Sequence, residues 1–423
     1  MKSLSLLFSK LKKVNVINQY RGLRRELYVL FACRLIDNAG SLVGPMLTLI
    51  LSKKIGMSAG EIAAYFLVYS FIALPFQLLG GKLTDKVNKK LLINIGDFAS
   101  SIIYIVCGFI GINKVTIAVY LAGGLLQTIE GPAYESLIAD FTTAADRDKA
   151  YSLSYLGMNL GLVLAPTIGG LMLDNYIELM FILSGTFELV SIILFDIFVR
   201  DISAIHDEGN IYEKDAGKAN IFTVLWDNKV IIFLLFIMSF SWLFYNMYGY
   251  LLPLTLSEIH PENGSVLFGT VSSLNCVTVL VFTAIVTSLL SKKTTIFKMV
   301  LGNVFEFSGL AVIFLLLGRP VFYYIGIVIF TIGEIINTTS TNPHLTRRIP
   351  INCRGRILAL SSVMGSVIIS VGEYYVGKIC DVSGFDAAWY VVFGIGIIST
   401  LGYIVMAPFD KKRYPLLYGE HAN

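Results

Sequence analysis

Six ionisable side chains fall near the middle of long apolar runs: Arg34, Asp37, Glu130, Glu188, Glu306 and Glu334. Three more, Asp97, Glu135 and Glu373, lie nearer the edges of such runs. A charge inside a bilayer is costly, so each one needs a reason. The reasons available are a proton or ion path, a substrate contact, or an internal partner. A carboxylate in a low-dielectric cavity can exchange a proton near neutral pH, and it can attract a cation. Arg34 and Asp37 are three residues apart and share one helix face. They either switch partners during a working cycle or form a fixed internal ion pair. A cluster of rings, Trp242, Phe244, Tyr245, Tyr248 and Tyr250, precedes Pro253. Tyr245 and Tyr248 are expected to wall a cavity for flat or cationic compounds. Tyr250 is expected in an interfacial aromatic belt.

Other chemistries are excluded. No Gly-x-x-x-x-Gly-Lys-Ser/Thr loop is present, so no nucleotide-driven reaction is legible. His206, His260, His344 and His421 are read as isolated residues in loops or the tail, which gives no metal site. The five cysteines (Cys33, Cys107, Cys276, Cys353, Cys380) are scattered, and a disulfide framework is not expected. Neither an enzyme, a cofactor nor a nucleic-acid partner is implied.

The elements that must carry these groups are membrane helices. Of 423 residues, 55% are hydrophobic and 15% charged, with a mean hydropathy of +0.72. A soluble domain has about 25% charged residues. Twelve apolar segments are long enough to span, at ~20 residues each. They cover 25–51, 60–81, 90–112, 115–141, 150–174, 176–199, 229–257, 265–291, 296–318, 320–342, 355–379 and 386–408. With both termini in the cytoplasm, 27 of the 33 Lys and Arg residues lie on the cytoplasmic side, 5 lie on the outer side, and Arg34 lies within the membrane. That is a strong positive-inside pattern. Basic residues before the first run, from Lys10 to Arg25, argue against a signal peptide. Residues 200–228 form the longest polar stretch and read as a cytoplasmic linker between bundles 1–199 and 229–423.

The two bundles are related in sequence. An offset of 207 superposes Arg147 on Arg354, Lys149 on Arg356, Leu153 on Leu360, Ser154 on Ser361, Gly170 on Gly377 and Asp174 on Asp381. Internal repeats of this kind build two halves around a central site. Glu334 maps to position 127, one helical turn from Glu130, so these two carboxylates are expected on matching faces.

The short basic loop Gly81-Lys-Leu-Thr-Asp85-Lys86-Val-Asn88-Lys89-Lys90 resembles the loop signature of the major facilitator superfamily. Asn88 stands where Gly is usual and is expected to keep the turn by adopting left-handed backbone angles. Gly161-Leu-Val-Leu-Ala-Pro166-Thr-Ile-Gly169-Gly170 resembles the fifth-helix signature of proton-coupled exporters in that superfamily, with a kink expected at Pro166. Ile129-Glu130-Gly131-Pro132 and Thr331-Ile332-Gly333-Glu334 resemble the fourth and tenth helices of multidrug–proton antiporters. The resemblance implies an all-α fold of twelve transmembrane helices in two six-helix bundles. It also implies a central cavity lined by helices one, four, seven and ten.

By that resemblance the chain exports a drug-like amphipathic or cationic molecule in exchange for protons. It would be a monomer, multi-pass in the cell membrane. Glu334, Glu130, Asp37, Arg34 and Glu373 are the candidates for proton or cation work. Gln127, Tyr245 and Tyr248 are the candidates for the substrate cavity. Gln127 replaces the Arg that many antiporters carry, which keeps open a facilitator or importer of a sugar, peptide or other metabolite. Glu188 and Glu306, on usually peripheral helices, are expected to be structural. In the second half Lys292-Lys293 take the place of Asp85-Lys86. Asp85, with Gly81, Lys86 and Lys89, is therefore expected to latch onto the helix start near Arg354 and Arg356, or else simply to cap a helix.

Overall fold

The computed structural model describes residues 20–142, 147–200, 226, 229–290, 293–346, 348 and 354–418. Every regular element among them is helical: α1 (Arg25–Ala39), α2 (Ala59–Lys86), α3 (Lys89–Ile110), α4 (Lys114–Asp140), α5 (Arg147–Leu162), α6 (Ala165–Met172), α7 (Ile177–Phe198), α8 (Lys229–Ile259), α9 (Gly264–Leu289), α10 (Thr295–Leu315), α11 (Pro320–Thr346) and α12 (Arg354–Arg413), with short turns between. Lipid offers no hydrogen bonds, so a spanning backbone must satisfy its own polar groups, and a helix does so. Phe71, Phe109, Leu171 and Ile398 are exposed and form part of the surface that lipid would solvate.

Ten stretches of the described residues are long and apolar enough to cross a membrane. One of these, Leu360–Arg413, contains two spans, because α12 is interrupted at Gly384 with φ 83°. That positive φ is readily open only to glycine. The expected fourth span is not among the ten, yet it forms as α4, a helix of 27 residues. Each of the twelve apolar segments thus has its helix. The linker 200–228 lies outside the described residues apart from Arg200 and Trp226.

Two spans are broken, and the breaks face each other. The first span ends its α-helix at Ala39. It resumes as a 3-10 turn at Gly44–Met46 and finishes in a π turn at Ile50–Lys54. The fifth span breaks between Leu162 and Ala165, and Pro166 lies in the first turn of α6, where its missing N–H costs nothing. A Cβ on Gly161 would lie 2.5 Å from the Leu35 carbonyl, and one on Gly169 would lie 2.8 Å from that of Leu42. On its other face α6 meets α9, where a Cβ on Gly170 would lie 2.5 Å from the Ser265 carbonyl. The small residues therefore let one broken span touch both halves.

The loop between α2 and α3 departs from expectation. Asn88 has φ −58° and is the N-cap of α3, its Oδ1 accepting from the Leu91 N–H at 3.2 Å. It replaces Gly as a capping residue rather than by a left-handed turn.

The cores show where the halves meet. At the end opposite the basic loops, one buried cluster runs through both halves and includes Met46, Ile62, Phe181, Leu251, Leu256, Tyr323 and Trp389. At the basic end each half has its own cluster, around Leu30, Leu137 and Phe195 in one and Leu234, Met299 and Met406 in the other.

Candidate functional site

Glu334 is the best-supported carboxylate of the carboxyl half. Tyr245 on α8 donates its hydroxyl to Glu334 Oε1 at 3.0 Å. Asn275 on α9 donates to Oε2 at 2.7 Å and to Thr331 Oγ1 at 2.8 Å. Three helices thereby fix one acid. Tyr245 stacks on Phe330 with ring centres 5.6 Å apart, and Tyr248 lies 5.3 Å from the same ring. Tyr248 also donates its hydroxyl to Ser272 Oγ at 2.8 Å. Tyr155 on α5, in the other half, lies within electrostatic reach of Glu334. Tyr245 and Tyr248 thus form an aromatic wall beside a carboxylate. Tyr250 does not belong to an interfacial belt. It is 2% exposed and donates to the Ala59 carbonyl at 2.5 Å, across the contact between halves.

Glu306 is also placed differently from expectation. It is 2% exposed and shares a small cavity, about 20 Å³, with Glu334. Ser241, Tyr245, Asn337, Thr341 and Tyr403 complete much of the wall. Asn337 donates to Glu306 Oε1 at 2.8 Å and to Asn303 Oδ1 at 3.0 Å. Asn303 bridges on to Ser241 at 2.8 Å and to Ser399 at 3.1 Å. Helix α10 lies close behind α11 because Gly302 faces Asn337 and Gly333 faces Glu306 at a distance that no Cβ would allow.

The amino half holds a separate set. Arg34 lies over the Tyr134 ring, 3.9 Å from its centre. Asp37, Asp97 and Glu130 lie within electrostatic reach of Arg34 and of each other, and Asp97 and Glu130 face one another within hydrogen-bonding reach. One guanidinium thus faces three carboxyls. Glu130 packs against Gly96 of α3. Gln127 is engaged within its own half: its Nε2 donates to Glu188 Oε1 at 2.7 Å, and Tyr104 donates to its Oε1 at 3.3 Å. Ser100 also donates to Glu188. Glu130 and Glu334 accordingly lie in different halves, each in its own polar set.

The halves are clamped at the end remote from the basic loops. Asp381 Oδ2, on α12, accepts from Ser58 Oγ at 2.7 Å and from the Gly60 N–H at 3.0 Å, at the start of α2. Ser58 is at once the N-cap of α2, in a capping box with Glu61. Ser70 and Ser370 meet at 2.8 Å, and Glu373 is buried one turn further along α12.

At the basic end, the side chains of Asp85, Lys86, Arg354 and Arg356 lie outside the described ones, as does the surface around Gly81. Lys89, expected in the same latch, is instead paired with Asp140 of its own half at 2.5 Å. A buried ion pair here was not foreseen from the sequence. Arg348 donates twice to Asp410, at 2.6 Å each, and once to the His344 carbonyl at 2.7 Å. His344 is not in a loop: it is fully buried in the last turn of α11, with Nδ1 2.6 Å from Thr295 Oγ1. No group of three or more potential metal ligands exists among the described residues, and the four described cysteines are free and buried. Asn275, Asn303 and Asn337, also missed, did leave a signal in the sequence: they are amides inside apolar runs, where a partner is required.

Comparison with known proteins places this architecture. The family model described as Major Facilitator Superfamily matches residues 29–373. An uncharacterised MFS-type transporter of Bacillus subtilis, YqjV, is 22% identical over 379 residues, covering 87% of this chain and 89% of that protein. The quinolone resistance protein NorA of Staphylococcus aureus is 30% identical over 190 residues, 44% of this chain and 46% of NorA. Among solved structures, a POT family transporter in complex with 5-aminolevulinic acid superposes with a TM-score of 0.74 at 13% identity, covering 93% of this chain and 97% of that one. The nucleoside transporter NupG superposes with a TM-score of 0.69 at 13% identity, covering 90% of this chain and all of its own.

Proposed function

The chain belongs to the Major Facilitator Superfamily, a multi-pass membrane transporter and not an enzyme, and from that premise we propose that it exports a cationic or amphipathic small molecule in exchange for protons. The observation that carries the reading is Glu334: a membrane-depth carboxylate held by Tyr245 and Asn275 beside stacked rings. Such a site suits an organic cation, whose charge meets the carboxylate and whose apolar body meets the rings. The Arg34, Asp37, Asp97 and Glu130 set supplies proton-carrying groups in the other half, since three carboxyls beside one guanidinium leave negative charge that protons neutralise. The partial likeness to NorA favours a drug-like substrate.

In this reading the two halves rock about the cavity. The separate cores at the basic end and the shared core at the other correspond to the state open toward the basic side. Asp85 docks at the start of α12, near Arg354 and Arg356, when the basic end closes. The protein sits in the cell membrane as a monomer with both termini cytoplasmic. In everted vesicles, Glu334→Gln should abolish pH-driven efflux of a cationic dye while the protein remains in the membrane; unchanged efflux would remove Glu334 from the mechanism. A second reading, a facilitator of a peptide- or nucleoside-sized metabolite, draws on the engagement of Gln127 with Glu188 where antiporters carry Arg. It expects dye-independent uptake without a pH gradient.

A further inference from the structure

Glu306 is an acid with an unexplained oxygen. Its Oε1 accepts from Asn337, but its Oε2 is buried and has no hydrogen-bond partner. A carboxylate oxygen left in this way is costly, and a proton on it removes the charge. No described Lys, Arg or His lines the cavity to serve instead. The titratable groups that face Glu306 are Glu334 on α11, Tyr245 on α8 and Tyr403 on α12. On its own helix, α10, the polar neighbour is Asn303, already engaged with Ser241, Asn337 and Ser399.

The cavity gives Glu306 a connection. At about 20 Å³ it has room for one water, and polar groups on several walls could bind it. It also has a direction. Helix α11 runs from Pro320 to Thr346, and α8 runs the opposite way from Lys229. Asn337 and Thr341 lie beyond Glu334 on α11, and Ser241 lies before Tyr245 on α8. All three are on the side of Glu334 that faces the basic end.

We propose that Glu306 is a second proton-binding group of the carboxyl half, the one through which Glu334 exchanges its proton with solvent at the basic end. This rests on the proton-coupled reading above. When a cation engages Glu334, Glu306 first gives the proton on Oε2 to solvent at the basic end. The Glu334 carboxyl then gives its proton to a cavity water, and that water gives a proton to Glu306 Oε2. Only O–H bonds break and form, and the negative charge left briefly on Glu306 moves to Glu334, where the cation balances it. The amide of Asn337 holds the other oxygen throughout, so that Oε2 stays turned into the cavity.

The test uses the full chain in lipid nanodiscs with tetraphenylphosphonium as the probe cation. A pH-indicator dye in weak buffer follows proton release after rapid mixing, and infrared difference spectra follow protonated carboxyl groups. Glu306→Gln keeps the shape and the contact with Asn337. It should bind the probe within about twofold of the wild type, release its proton at least tenfold more slowly, and lose one protonated-carboxyl band. Glu306→Asp, which keeps the acid but draws it back, should release at an intermediate rate and guards against a variant that fails to assemble. Wild-type release kinetics in Glu306→Gln, or an unaltered set of carboxyl bands, would overturn the proposal. A wild type that binds the probe without releasing any proton would instead remove the antiport reading, and the carboxyl band lost in Glu306→Gln would still decide whether Glu306 binds a proton.

Discussion

At the scale of single residues, the interior separates acids by the company they keep. Glu334 has both oxygens occupied by donors from two other helices, Glu306 has one occupied, and Glu130 has an Oε2 without a hydrogen-bond partner. A fully bonded carboxylate is pre-oriented for a ligand, whereas a bare oxygen is suited to carrying a proton. Arg348 and Asp410 follow a different rule, since their charges are matched to each other in a bidentate pair. Removing one partner strands the other. Arg348→Met should therefore lower stability by about 3–5 kcal/mol, read as a fall in melting temperature in detergent, while Arg348→Met with Asp410→Leu should recover most of the loss. A single variant as stable as the wild type would contradict a buried pair. The sequence could not reveal this pair, because Arg348 follows a long apolar run and reads as one more basic loop residue.

At the scale of elements, the clamp between α2 and α12 is a helix N-terminus holding a carboxylate from the other half. A Cβ on Gly60 would collide with Asp381 Oδ2, so a larger residue there would push the carboxylate aside. The offset of 207 pairs Ser58 with Ser265 and Asp381 with Asp174, so the repeat offers the same clamp twice. It is made once. Asp174 faces Lys54 at 3.8 Å, and the hydroxyl of Ser265 is buried without a hydrogen bond. The closed end therefore depends on the Asp381 contact more than its symmetry suggests. Asp381→Asn weakens a capping bond worth about 0.5–2 kcal/mol and should shift the population toward the state open at that end. Asp85→Asn should shift it the opposite way, toward the state described here. Distances between spin labels placed across each end measure both. Parallel shifts, or none, would contradict two opposed clamps.

At the scale of the whole molecule, two broken spans, a shared core at one end and separate cores at the other surround polar sets at membrane depth, an arrangement that suits the proposed rocking of two halves. Much of this was legible in the sequence. Apolar runs gave the twelve helices, because lipid leaves a spanning chain no alternative. The repeat foretold two related halves, and Pro166 foretold a break in the fifth span. What stayed hidden were contacts between segments far apart in the chain: Asn275 to Glu334, Asn337 to Glu306, Gln127 to Glu188. No local spacing encodes these, and polar residues one at a time look alike until packing pairs them. The same limit made Tyr250 look interfacial.

The central claim is that the movement of an organic cation is tied to that of a proton. The most direct measurement uses proteoliposomes loaded with tetraphenylphosphonium and a trapped pH dye, with no initial pH difference and the membrane potential clamped. Outward flow of the probe through the wild type, above that from protein-free liposomes, should drive protons inward and acidify the lumen, and Glu334→Gln should show neither flux above that background. Probe efflux through the wild type with no change in lumenal pH would contradict the account.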